Sequence, residues 1–254
     1  MQPGRPPPLA LLLAEAPRAA LEFGSLAALW PLLAAAPRGD GHPVLVLPGL
    51  LNTDVYTFVL RNFLRARGHA ACAWEAGRNW GRWQALETIV LPAIERLHAE
   101  HGRKVSLVGA SMGGLYARAA ARRAPDLVRA VVTFSSPVRA PRQASWVTPL
   151  YEMVSGEPAD ALAAPHAPVP CTSVFSRSDG LGDWRPVLLP PGPMLENVEV
   201  VSTHLGMAWH PAVLYLTADR LAQPEGRWQP FTPPAWARLL YPAPAAAAAA
   251  ASRP

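Results

Sequence analysis

The sequence predicts an α/β protein with a mostly parallel central sheet and helices on both of its faces. Short apolar runs alternate with segments of helical periodicity between residues 40 and 222, which is typical of parallel sheets. No proline lies in residues 50–91 or 93–124, so we expect regular secondary structure in these two ranges. Half of the 254 residues are apolar and only 16% are charged, so the chain can bury a large core.

The first half of this region gives two strands and two helices. Residues 44–47 form an apolar run that ends at Pro48, and residues 70–74 form a weaker one. Between them, residues 55–67 have helical periodicity and are followed by Gly68, a typical helix end. Residues 84–101 form a second helix with one apolar face, in which we expect a kink at Pro92.

The second half gives four strands and two helices. The strands are predicted at residues 105–108, 130–134, 171–176 and 198–201, and the helices at residues 112–123 and 211–221. Pro211 suits the first turn of the last helix. Residues 138–170 are proline-rich and too long for a simple crossover between strands, so we expect a small cap over the carboxyl ends of the strands.

Two flanking regions lie outside the predicted domain at residues 40–222. Residues 1–39 are interpreted as an apolar helical prelude packed on the domain, and a peripheral membrane contact through residues 1–37 is the alternative. No run of 18 apolar residues predicts a transmembrane helix. Residues 223–254 are rich in Pro and Ala, which predicts a partly disordered tail.

Charge and cysteine content exclude several classes of function. The net charge of +5 comes from scattered arginines without a basic stripe, so we expect no nucleic-acid partner. Cys72 and Cys171 are the only cysteines, which excludes a disulfide framework and a four-cysteine zinc module. We expect no metal and a cytoplasmic location, with contact to a membrane surface as the alternative noted above.

A candidate nucleophile follows the strand at 105–108. The sequence Gly109-Ala110-Ser111-Met112-Gly113 has the G-x-S-x-G pattern between a strand and a helix, where a strained turn exposes the serine. The helix N-terminus offers backbone N–H groups to a developing oxyanion. The alternative is a glycine-rich turn with an inactive serine.

A nucleophilic serine needs a base and an acid that orients the base. His204 follows the strand at 198–201, and Asp179 follows the strand at 171–176, so both are expected at the carboxyl ends of strands. Asp183 is the alternative acid, although its position favours a helix cap.

Other residues are candidates for binding the substrate. Met112 and Leu50 are predicted to supply the N–H groups of the oxyanion hole, with Leu51 as a substitute donor; the alternative is that Leu50 and Leu51 are only apolar walls. Arg78 and Asn79 either bind a substrate head group or fix their own loop. Trp146 lies on an apolar face of the predicted cap and is expected to line the substrate pocket.

The sequence resembles the α/β-hydrolase superfamily, in particular its bacterial esterase and lipase-like branch. The resemblance is carried by residues 44–51, 74–81, 106–118, 175–180 and 203–206. The resemblance covers residues 40–222, with Pro48 where many relatives have histidine. It implies the α/β-hydrolase fold, Ser111 as nucleophile, Asp179 as acid, His204 as base, no cofactor, and small-molecule or lipid ester substrates. The expected function is therefore that of a serine esterase or lipase with an acyl-enzyme on Ser111. An acyltransferase with the same triad and a non-catalytic lipid-binding protein are the alternatives.

Overall fold

The computed structural model describes residues 5–138, 142–159 and 162–242. Its strands are β1 (Pro43–Leu47), β2 (Ala70–Cys72), β3 (Val105–Ala110), β4 (Val128–Phe134), β5 (Cys171–Phe175) and β6 (Leu195–Glu199). Its helices are α1 (Leu9–Leu13), α2 (Glu15–Ala34), α3 (Phe58–Ala66), α4 (Leu91–His101), α5 (Met112–Arg123), α6 (Thr148–Ser155) and α7 (Pro211–Ala222). Short 3-10 turns occupy Arg142–Ala144, Arg185–Val187 and Ala235–Leu240.

The six strands form one sheet in the order β2-β1-β3-β4-β5-β6, and each neighbouring pair is parallel. This confirms the predicted α/β class. The chain leaves β1 toward one edge of the sheet and returns to β3 on the other side of β1. The loops after β1 and β3 therefore diverge, which opens a crevice at the carboxyl ends of these two strands, where ligands bind in open α/β sheets.

Both faces of the sheet are covered, because side chains of successive strand residues point to opposite faces. In β1, Leu45 and Leu47 belong to a core that includes residues of α4 and α5. Val44 and Val46 belong to a second core, formed with residues of α3 and α7. All five residues of β1 are buried, which explains its uninterrupted apolar sequence.

The last strand lies three residues earlier than predicted at its start, since β6 covers Leu195–Glu199 rather than residues 198–201. It is an edge strand whose residues are half-buried or exposed, so its sequence is mostly polar and lacks the apolar run that marks a central strand. Val200 is still buried and donates its N–H to Phe175. The apolar pair Val200-Val201, on which the predicted strand was based, therefore lies directly after β6.

Pro92 does not break its helix. A π-helical turn at Leu86–Val90 leads directly into α4, and Pro92 lies in the first turn of α4. Because proline has no N–H and cannot make the α-helical bond to the residue four positions earlier, the change of helical type falls where the kink was expected.

The flanking regions are partly ordered against the domain. Helix α2 buries Ala19 and Leu33, whereas Leu13 and Leu21 are exposed, and the membrane contact expected of residues 1–37 stays a prediction. In the described ranges no helix is both long and apolar enough to cross a bilayer. Near the other end, Tyr241 is buried and donates to the Ala212 carbonyl at 2.8 Å. The rest of the predicted tail, residues 243–254, lies outside the described residues.

Candidate active site

Ser111 occupies the turn between β3 and α5, with φ 50° and ψ −116°. A side chain on Gly109 would overlap the Gly113 backbone, and one on Gly113 would overlap the Leu47 carbonyl. Both glycines are therefore required for β1, β3 and α5 to approach this closely. The strained turn puts Ser111 at the carboxyl end of β3, where its N–H donates to the Phe134 carbonyl at 2.8 Å.

His204 and Asp179 form a hydrogen-bonded pair near this turn. The distance between His204 Nδ1 and Asp179 Oδ2 is 2.8 Å. The second oxygen of Asp179 accepts the N–H groups of Leu181 and Gly182 at 2.9 and 3.0 Å. An ionised Asp179 makes Nδ1 the donor, so Nε2 of the neutral ring is left as the proton acceptor.

The electrostatics of this pair favour a carboxylate next to a basic imidazole. Burial alone would raise the pKa of Asp179, but the charge and the hydrogen bond of His204 hold it below its ordinary value. Burial would likewise lower the pKa of His204, but the Asp179 carboxylate overcomes this and raises it. A histidine that lines a cavity and has raised basicity is suited to general-base chemistry.

Asp183, the alternative acid, has different partners. Its Oδ1 accepts the backbone N–H of Arg185 at 3.2 Å and the Arg185 guanidinium at 3.1 Å. It thus holds the short turn at Arg185–Val187 and makes no hydrogen bond to His204 within the described part of the chain. Of the two candidates, the structure brings only Asp179 to the histidine.

Ser111, Asp179 and His204 all line a cavity of about 100 Å³. The remaining wall is largely apolar and includes Leu50, Leu115, Val147, Tyr151, Leu162 and Val187. Ser135 also lines it and has a left-handed backbone, with φ 43°. Such strain at a strand end is common where side chains must be placed for function.

The loop after β1 distinguishes the two candidate oxyanion donors. The Leu51 N–H is already donated to the Asn79 carbonyl at 2.6 Å, so Leu51 is unsuitable as the substitute donor. Leu50 lines the cavity, and its N–H has no backbone acceptor among the described residues. Met112 is the first residue of α5 and lies in the cavity wall, and the N–H of a first helical residue has no acceptor in its own helix.

Arg78 and Asn79 fix the oxyanion loop. Asn79 is fully buried and donates its side-chain N–H to the Pro48 carbonyl at 2.8 Å. Arg78 donates to the Leu51 carbonyl at 2.7 Å. Neither residue lines the cavity, and nor does Leu51. Of the two interpretations left open by the sequence, the contacts favour loop fixation over binding of a head group.

The structure places Trp146 outside the cavity, contrary to expectation. The residue is 43% exposed, and its indole N–H donates to the Pro7 carbonyl at 3.0 Å. The cap helix α6 begins only at Thr148, so Trp146 does not belong to the helical face on which the prediction relied. Val147, Thr148 and Tyr151 form this part of the wall. Residues 139–141 and 160–161 of the predicted cap lie outside the described ranges.

Among the described residues, no cluster of three or more His, Cys, Asp or Glu side chains is arranged to hold a metal ion.

A family model and several solved structures match parts of this chain. The Esterase family model, described as "Putative esterase", matches residues 62–181, a range that contains Ser111 and Asp179. No curated protein matches the chain in sequence.

Three solved structures are similar in fold. Aspergillus fumigatus lipase B is 18% identical with a TM-score of 0.55, and the match covers 75% of this chain and 55% of that chain. A Bacillus licheniformis lipase in mature form is 14% identical with a TM-score of 0.56, covering 74% and 95%. A Paleococcus ferrophilus monoacylglycerol lipase is 17% identical with a TM-score of 0.52, covering 70% and 96%. This chain thus matches only about half of the Aspergillus lipase, and at these identities the likeness shows the fold alone.

Proposed function

We propose that this chain is a carboxylic ester hydrolase of the esterase and lipase branch of the α/β-hydrolase superfamily and that it works through an acyl-enzyme on Ser111. The observation that carries the proposal is the hydrogen bond of 2.8 Å between His204 and Asp179, beside a cavity that Ser111 also lines. This arrangement has the parts of a serine triad, in the chain order Ser, Asp, His that this fold uses.

In the proposed acylation, Ser111 Oγ attacks the carbonyl carbon of the ester while His204 Nε2 accepts the hydroxyl proton. Asp179 keeps the imidazole in the correct tautomer and stabilises the imidazolium. The N–H groups of Leu50 and Met112 bind the oxyanion of the tetrahedral intermediate. When the intermediate collapses, His204 gives the proton to the departing alkoxide oxygen, and the alcohol leaves.

Deacylation repeats these steps with water as the nucleophile. His204 accepts a proton from water as the water oxygen attacks the acyl carbon, and the same oxyanion donors are used again. The Ser111–acyl bond then breaks, Ser111 Oγ regains its proton from His204, and the carboxylic acid is released.

The cavity indicates the kind of acyl group. Its volume of about 100 Å³ is small beside the 300–1,000 Å³ of pockets for larger ligands, and its wall is mostly apolar. We infer that the substrates are esters with a short apolar acyl group. The exposed apolar side chains of Leu9, Leu13 and Phe23 support the alternative that residues 1–37 contact a membrane surface.

Replacing the nucleophile tests the proposal. Ser111→Ala removes the attacking oxygen, so turnover of a p-nitrophenyl acyl ester is expected to fall by a factor on the order of 10⁶. Thermal unfolding of the variant should match that of the wild type, because alanine fits the same space. Ester hydrolysis near the wild-type rate in a folded Ser111→Ala protein would contradict the proposal.

A further inference from the structure

The two loops that carry Asp179 and His204 meet the N-terminal helical segment. We call residues 176–183 the acid loop and residues 200–206 the base loop. We propose that Glu15, the first residue of α2, is a positioning residue whose carboxylate fixes the acid loop against the base loop. The proposal rests on the function proposed above for Asp179 and His204.

Glu15 contacts both loops directly through their backbones. Its Oε1 accepts the Gly180 N–H at 2.7 Å and the His204 N–H at 3.1 Å. Its Oε2 accepts the Leu205 N–H at 3.1 Å. The residue is only 3% exposed, and a buried carboxylate is costly unless it is hydrogen-bonded. Three N–H groups satisfy it here, and charge-assisted bonds of this kind are stronger than neutral ones.

The same helix face makes further contacts, but each of these reaches a single loop. Arg18 donates to the carbonyl and the hydroxyl of Ser178 in the acid loop, both at 2.9 Å. Glu22 accepts the N–H and the hydroxyl of Thr203 in the base loop, both at 2.7 Å. Residues 15, 18 and 22 follow the spacing of one helix face. Within this set, Glu15 is the residue that joins the two loops.

Two glycines allow the helix to come this close. A side chain on Gly180 would overlap the Leu11 carbonyl and approach Glu15, and one on Gly206 would overlap the Glu22 carboxylate. Each loop therefore has a glycine at its point of contact with the N-terminal segment, so the contact is built into the loops as well as into the helix.

The position of Glu15 has an electrostatic consequence for His204. Burial lowers the pKa of His204, whereas the Asp179 carboxylate and then the Glu15 carboxylate raise it. Other polar and charged groups face the same region: Glu22 of α2, which contacts the base loop, Arg18 of α2, which contacts the acid loop, and Tyr56, whose hydroxyl lies 3.5 Å from the His204 carbonyl. Removing the charge of Glu15 should therefore lower the pKa of His204.

The pH dependence of kcat/KM in Glu15→Gln tests the proposal. The amide keeps the shape of the side chain but loses the charge and one acceptor. We expect kcat to fall by about tenfold to a hundredfold, because small displacements of catalytic groups slow the reaction by such factors. The acidic limb of the kcat/KM profile, which reports His204, should move to lower pH.

Two variants serve as controls. Leu21→Gln, at a residue of α2 that is 75% exposed, should leave the hydrolysis of a soluble p-nitrophenyl ester unchanged. Glu22→Gln makes the same chemical change on the same helix face but affects only the base loop, so its loss of kcat should be clearly smaller. Equal losses in Glu15→Gln and Glu22→Gln would overturn the bridging role of Glu15.

A second variant keeps the test decisive if Glu15→Gln fails to fold. Glu15→Asp retains the charge but is one methylene too short to reach both loops, so kcat should fall while the acidic limb stays in place. Wild-type kcat in folded Glu15→Asp, or a Glu15→Gln protein that loses thermal stability with unchanged kcat and pH profile, would overturn the proposal. Ser111→Ala is assayed in parallel. Retained activity there refutes the proposed function, whereas its loss beside unaffected Glu15 variants refutes only the present inference.

Discussion

Two aspartates four residues apart, Asp179 and Asp183, differ in what surrounds them. Asp179 accepts hydrogen bonds from His204 and from two backbone N–H groups of its own loop. Asp183 accepts from Arg185, both main chain and side chain, at the start of a 3-10 turn. Both side chains are buried, so burial does not distinguish them, but only Asp179 can set the tautomer of the base.

Exchanging each carboxylate for an amide tests this difference. Asp179→Asn should lower kcat by roughly 10³ to 10⁴, because the amide favours the wrong tautomer of His204. Asp183→Asn should change kcat only slightly and should act mainly on stability. Steady-state kinetics of both variants with one ester substrate measures the difference, and a larger loss of kcat in Asp183→Asn would reverse the assignment.

Sequence patterns are informative about residues whose role depends on their position in the chain. Ser111 lies in a motif whose glycines are required by the close approach of β1, β3 and α5, and Asp179 and His204 follow strands. The role of Asn79 could not be predicted in this way. Its hydrogen bond to Pro48 joins residues 31 positions apart in the chain, and no local pattern reports such a contact.

At the level of elements, helix α6 and the residue before it contribute one wall of the cavity. Val147 precedes the helix and lines the cavity, while its neighbour Trp146 points to the N-terminal segment. The helical face inferred from residues 146–154 fails because α6 starts at Thr148 with Pro149 in its first turn. A pattern of apolar spacing does not by itself show where a helix begins.

Adjacent alanine variants test this wall. Val147→Ala removes two methyl groups from the cavity, so kcat/KM should shift toward longer acyl chains, each added methylene contributing about 0.8 kcal/mol where it has room. Trp146→Ala is the matched control and should leave the chain-length profile unchanged. A series of p-nitrophenyl esters gives the measurement. A shift in Trp146→Ala without one in Val147→Ala would contradict the assigned wall.

The N-terminal helices show which features of an element can be predicted from its own sequence and which cannot. Their helical character follows from composition, but their contact with the acid and base loops does not. The available signal is three charged residues, Glu15, Arg18 and Glu22, on one face of an otherwise apolar segment. Such a face indicates buried polar partners without identifying them, because the partners lie more than 150 residues away in the chain.

For the whole molecule, we expect the response to acid to depend on a histidine cluster, His42 and His69, at the amino-terminal end of the sheet. Both ring nitrogens of His42 are hydrogen-bonded. Nδ1 lies 2.6 Å from Asp40 Oδ1, and Nε2 lies 2.8 Å from Ser106 Oγ. His69 packs edge-to-face on His42 at 5.3 Å, and neither of its buried ring nitrogens has a partner among the described residues. Burial lowers the pKa of each ring to about 4.

These pKa values predict a loss of stability in mild acid. Between pH 6.5, the ordinary histidine value, and pH 4 the unfolded chain binds more protons than the folded one, so the free energy of unfolding falls as pH falls. The contribution is about 2 kcal/mol for each ring at pH 5. His204, whose pKa is raised, acts in the opposite direction, so a difference between variants is needed to isolate the cluster.

His69→Phe isolates the cluster because phenylalanine keeps the ring but cannot titrate, and no hydrogen bond is lost. Urea unfolding at pH 7.5 and pH 5 should show a smaller pH-dependent loss in His69→Phe than in the wild type. An identical loss in both proteins would show that His69 does not titrate in this range.

The architecture of the whole molecule brings the site together. The crevice after β1 and β3 holds the oxyanion loop and Ser111, and the ends of β5 and β6 lead to the acid and base loops. The order of strands could be expected from the superfamily resemblance, whereas the exact wall of the cavity depends on packing between distant segments. We expect these parts together to make Ser111 a nucleophile.

Labelling with an alkyl fluorophosphonate tests whether Ser111 is a nucleophile, because the reagent forms a stable bond only with an activated serine. Intact-mass and peptide mass spectrometry should find one adduct per chain, on Ser111, in the wild-type protein. Asp179→Asn should label much more slowly, and Ser111→Ala should not label. Ester hydrolysis without an adduct, or an adduct on another residue, would contradict the account.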